Sequence, residues 1–188
     1  MAGRSLTIEQ VLTLLAETPP RIATLTAGLA PARLQTTPNH DGWSANDVLA
    51  HLRACADVWG SCMVAMIAED KPTLRAVNPR TWIKKTDYPE LEFRPSLRSF
   101  TTQRADLLAV LEPLPPEGWS RAATVTGAGK VLERTVRIYA QQLARHETAA
   151  REAGRTDVQH NAHLATTRGS RIGAYAEIRT RDLFLTKK

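Results

Sequence analysis

The sequence predicts an all-α chain folded as a four-helix bundle with a long connection between its second and third helices. Three observations lead there. Apolar residues recur at alternating four and three spacings in four separate stretches, which is the rhythm of packed helices and of no strand. Ser/Thr-led capping pairs open two of those stretches. About two dozen residues without period separate the second stretch from the third.

Helix one opens on the capping pair Thr7 and Gln10 and runs through Ile8, Leu12, Leu15, Pro19, Ile22, Leu25 and Leu29. Pro19 and Pro20 remove two donors from its interior, but the phase agrees on both sides, so the expectation is one bent element. From Pro31 to Gly42 the chain turns polar and is read as a loop. Helix two follows in GWSANDVLAHLRACADVWGSCMVAM, residues 42–66, with Ser44 and Asp47 as a second capping box. Behind it, Val48, Leu52, Cys55, Trp59, Cys62 and Met66 form the seam, and His51 lies on its shoulder with Asp47 and Cys55 one turn to either side. A ring there must find partners for both nitrogens, from a carbonyl, a carboxylate or a metal ion.

The aperiodic connection spans about 70–94. Trp82, Tyr88 and Phe93 give it enough apolar surface to pack, and such long connections often wall a site. Helix three starts at Pro95 and Ser96, carries Leu97, Phe100, Arg104, Leu107, Leu108 and Leu111 on one side, and stops at Pro113. A β-prone patch from Ala122 to Thr126, then Gly127, Gly129 and Val131-Leu132, predicts a small hairpin. Helix four resumes near Arg134 with Val136, Tyr139, Leu143, His146 and Ala150, and Gly154 is its expected C′ glycine. His146 falls on the apolar seam, with Gln142 one turn earlier on the same side.

With 188 residues and 43% hydrophobic composition the chain suits one domain, residues 1–154, followed by a basic tail, 155–188, that is not expected to belong to the fold. The net charge of +6 is divided unevenly: +2 before residue 155 and +4 after it. A nucleic-acid partner is therefore not expected, since the domain carries no basic stripe or aromatic platform. No run reaches the ~18 apolar residues of a membrane span and no signal-like segment opens the chain, so a cytoplasmic protein is expected. Cys55 and Cys62, about 10 Å apart along one helix, read as reduced thiols. His160 and His163 read as solvated.

The GWS opening of helix two, the histidine seven residues after its serine, and ARHETAAREA in helix four, together with TPPRIATLTAGL in helix one, resemble the DinB-like superfamily over about residues 7–153. The resemblance implies an up-down-down-up bundle, often dimeric, holding a divalent ion such as zinc or nickel between its helices. It also implies one histidine ligand from helix two and two from helix four, four residues apart. His51 takes the first place and His146 one of the others. The remaining place falls on Ala150, which has no donor, or on Gln142, a weak oxygen ligand; Cys55 and Glu147 are the other candidates. The metal set implied is thus His51, His146 and Gln142. The function implied is a metal-dependent transferase or isomerase acting on a small molecule with a low-molecular-weight thiol, in which Arg53, Arg121 or Arg145 would hold an anionic substrate. The alternative is a non-catalytic binding or dimerisation module that has lost its metal.

Overall fold

The computed structural model describes residues 5–37 and 42–148. The expected Gly154 cap, His160, His163 and the 155–188 tail lie outside these residues. Four long helices form the bundle: α1 (Ile8–Thr26), α3 (Ala45–Ala68), α5 (Phe93–Leu111) and α7, which covers 136–148 of the described residues. Short helices α2 (Pro31–Gln35), α4 (Pro79–Trp82) and α6 (Pro116–Trp119) lie in the connections.

Both capping boxes form. Thr7 Oγ1 accepts the Gln10 N–H at 3.2 Å while the Gln10 side chain accepts the Thr7 N–H at 2.9 Å. Ser44 and Asp47 repeat the exchange at the start of α3 (3.1 and 2.9 Å), so each helix begins with orphan N–H groups satisfied. α1 stays one element through Pro19 and Pro20. Threonine hydroxyls bond back to its carbonyls, Thr18 to Leu14 at 2.8 Å and Thr24 to Pro20 at 3.0 Å. Two arginines close helix C-termini from outside: Arg94 donates to Thr26 O and Ala27 O at the end of α1, and Arg121 to Met66 O (2.6 Å) and Glu69 O (2.7 Å) at the end of α3. A guanidinium there meets unpaired carbonyls at the negative end of the helix dipole.

The predicted hairpin exists and is larger than expected. β2 (Ala122–Ala128) pairs antiparallel with β3 (Lys130–Thr135), and Gly129 turns the chain at a φ of 85°, a left-handed backbone that glycine adopts without strain. A third strand corrects the reading of the connection as irregular: β1 (Thr73–Arg75) pairs parallel with β2, Leu74 opposite Val125. The sheet order is β1-β2-β3. A second correction is α2, in a stretch read as loop; Pro31 at its first turn loses no bond there and Leu34 is buried.

Two groups of apolar side chains fill the interior. One joins Leu15, Trp59, Met63, Leu111 and Leu143 with Ala123 of β2, so the sheet packs on the bundle beside the C-termini of α3 and α5. The other joins Leu34, Leu49, Leu52, Phe93, Leu97 and Phe100. Each such fully buried side chain contributes roughly 1.5–3 kcal/mol relative to exposure. The connection after α3 is fastened to the bundle by polar bonds: Trp82 Nε1 and Tyr88 OH both donate to Asp57 Oδ2 (2.9 and 2.8 Å), and Asn46 Nδ2 donates to Pro89 O at 2.9 Å. That fixes α4, and with it Arg80, over the N-terminal half of α3.

Candidate metal centre

His51 lies two turns into α3, where the cap at Ser44 sets the start of the helix and Leu49 and Leu52 turn inward on either side of it. His146 comes from α7, held by the buried Leu143, Ala144 and Glu147 around it. The two rings meet between the helices with Nε2 to Nε2 at 2.9 Å, although 95 residues separate them in the chain. Such a contact requires one ring to carry its proton on Nε2 and the other to present a lone pair. Both rings are enclosed by tryptophan edges: Trp43 stands T-shaped to His51 at 5.0 Å between centroids, and Trp59 likewise to His146 at 5.4 Å.

A third donor converges with them. Cys55, one turn after His51 on α3, places Sγ 3.6 Å from His51 Nε2, and the three donor atoms all lie within 4.8 Å of one another. Among the described residues this is the group of histidine, cysteine and acidic side chains close enough to share an ion. Two imidazole nitrogens on one tetrahedral ion, with bonds of about 2.0–2.1 Å, stand roughly 3.3 Å apart, so the observed pair fits after opening by a few tenths of an ångström. Gln142 stands half-buried on α7 one turn before His146. Glu147 is committed differently, in an ion pair with Arg104 of α5, both side chains being almost fully buried.

Burial sets the electrostatics. The His51 ring is pushed down to about 4, first by desolvation and then by the charges of His146 and Arg80. His146 is also lowered, by desolvation and by Arg80. Both rings are therefore neutral near pH 7, the form that binds metal. Burial and the negative charge of Glu147 push the Cys55 thiol well above its ordinary range. Both cysteines are free thiols, as expected.

Beside His51 a pocket of about 280 Å³ opens, lined by Trp43, Asp47, His51, Arg80 and Ile83. The Arg80 guanidinium lies 5.6 Å from the Trp43 ring centre. Asp47 uses Oδ2 on the Ser44 N–H and hydroxyl, at 2.9 and 2.6 Å. None of the arginines expected to hold an anion lines this pocket. Arg53 donates to Ser96 Oγ at 3.1 Å and covers the Tyr88 ring at 3.8 Å, Arg121 caps α3, and Arg145 is exposed. Arg80 is the arginine that lines it. Its one local signal was Asn78-Pro79, whose side chain caps α4 at the Arg80 N–H (2.9 Å).

A family model of the DinB superfamily matches residues 14–149. Among solved structures the chain is similar to YfiT from Bacillus subtilis, described as a probable metal-dependent hydrolase with an unusual four-helix bundle topology. The TM-score is 0.65 at 17% identity, over 87% of this chain and 93% of that one. No match is found among curated proteins. The family model spans most of the chain and the helical bundle accords with it: this chain belongs to the DinB superfamily.

Proposed function

We propose that the chain is a divalent-metal-dependent enzyme. In this reading His51 and His146, with Gln142 or Cys55 as a further donor, hold zinc or nickel beside the Trp43 and Arg80 pocket. The observation that carries it is the 2.9 Å approach of two neutral imidazoles from different helices, His51 buried and His146 half-buried. A bound ion there supplies Lewis acidity, which makes a small nucleophile reactive near neutral pH. That nucleophile is water, as hydrolysis needs, or a low-molecular-weight thiol, as group transfer needs. Arg80 attracts a negatively charged group of the substrate into the pocket and opposes charge that develops as the nucleophile attacks. Trp43 and Ile83 supply an apolar wall, and the tryptophan edges around the imidazoles limit water at the donors. Asp47 stays on its cap and orients the turn that carries Trp43.

Two assays separate the nucleophiles: hydrolysis of carboxylate-bearing esters and amides, and conjugation of cysteine to carboxylate-bearing electrophiles. Chelation is expected to abolish the activity found, and zinc or nickel to restore it. Arg80→Ala is expected to raise KM about tenfold with a smaller change in kcat, the signature of a binding contact. Activity that survives chelation and the paired substitutions His51→Ala and His146→Ala would contradict the reading, and a folded chain with neither activity nor metal binding would favour a non-catalytic bundle.

A further inference from the structure

We propose that Cys55 is the third protein ligand of this centre, bound as a thiolate, so that the site is a two-imidazole, one-thiolate site selective for zinc-like ions. The inference rests on the metal reading above and names a donor that distinguishes it from a histidine or amide-oxygen set. Three features of the chain carry it.

The first is helical geometry. Residues four apart share a face of α3, so the side chains of His51 and Cys55 leave the helix in the same direction, toward α7. The second is spacing. A nitrogen held at about 2.0–2.1 Å and a sulfur held at about 2.3 Å on one tetrahedral ion lie roughly 3.6 Å apart. His51 Nε2 and Cys55 Sγ are 3.6 Å apart, and His146 Nε2 completes the triangle within 4.8 Å. The third is enclosure. Cys55 is fully buried and His51 nearly so, which places the sulfur on the inner side of the pair and leaves the remaining coordination place toward the pocket that His51 lines. Three protein donors and one open place is the pattern of catalytic zinc rather than of structural zinc.

Ligation breaks the S–H bond and forms the metal–sulfur bond, and the proton passes to solvent. A soft thiolate in the set favours zinc, cadmium and cobalt over magnesium and manganese, which prefer oxygen donors. Gln142, an oxygen donor on α7, is then a neighbour of the site and not a ligand.

Cobalt is the probe, because its electronic spectrum reports its donors. The metal-stripped full chain, kept reduced, is titrated with cobalt(II) alone. The expected result is an intense sulfur-to-cobalt charge-transfer band in the near ultraviolet that saturates at one equivalent per chain. Cys62→Ser is expected to keep the band, and Cys55→Ser to lose it while still binding cobalt through the histidines. The zinc affinity of Cys55→Ser should fall about tenfold or more, since even groups that only support a ligand are worth that much. Saturable cobalt binding without the band, weakened by Gln142→Ala, would overturn the proposal and leave the metal centre standing with Gln142 in the set. Absence of cobalt binding by the folded wild-type chain would overturn both. If Cys55→Ser does not fold, the band in Cys62→Ser decides, because the chain has only two cysteines.

Discussion

Glu147→Gln is expected to destabilise the fold by about 3–5 kcal/mol, the cost of breaking a buried ion pair from one side. Glu147 is 1% exposed and Arg104 2% exposed, so removing the carboxylate charge leaves a guanidinium with little access to water. Burial alone already works against the charged form of Arg104, and Glu147 is what opposes that effect. The pair ties α5 to α7 one residue from His146, so it also fixes the rotation that aims that ring at His51. Urea unfolding should show a lower midpoint with an unchanged slope. Replacing both partners with apolar residues, Arg104→Met with Glu147→Leu, should recover most of the loss, because no charge is then stranded. An unchanged midpoint in Glu147→Gln would show that the pair is solvated and does not fix α7.

Metal-stripped protein is expected to lose stability as pH falls from about 6.5 toward 4. The unfolded chain protonates His51 near its ordinary value of about 6.5, whereas the folded chain holds the ring neutral down to about 4. Across that window the unfolded state binds the extra proton, so unfolding becomes easier with acid, and the stability is fully present only above the unfolded value. His146, also lowered, acts with the same sign. His51 alone contributes up to roughly 3 kcal/mol. Thermal unfolding between pH 7.5 and 4.5 should therefore show a falling midpoint whose slope is reduced in His51→Gln. A flat wild-type profile would mean that the ring is hydrated in the folded state.

Local signals carried most of the bundle. The capping boxes at Thr7 and Ser44, the four-three spacing of α3, and the matched phase across Pro19 and Pro20 all act within a few residues, so they can be read before folding. The hairpin was legible because Gly127 and Gly129 sit between β-prone runs. The parallel partner β1 was not: Thr73–Arg75 has no period of its own and becomes a strand only because β2, 51 residues on, lies beside it. α2 was missed because five residues with a leading proline resemble a turn.

The site divides in the same way. His51 and His146 stood out as histidines on or beside apolar seams, and the family resemblance joined them. Arg80 was invisible because its place over the pocket depends on Asp57, 23 residues earlier, fastening Trp82 and Tyr88. Arg104 left a signal that sequence reasoning passed over: a charged residue at a core position of α5 calls for a buried partner, and Glu147 is that partner.

Calorimetric titration of the metal-stripped chain with zinc tests the convergence of the two imidazoles most directly. The expected result is one equivalent bound per chain by the wild type, with that binding lost in His51→Ala and in His146→Ala while both variants keep their helical circular dichroism. Equal zinc binding by the wild type and both variants, or none by the folded wild type, would contradict it.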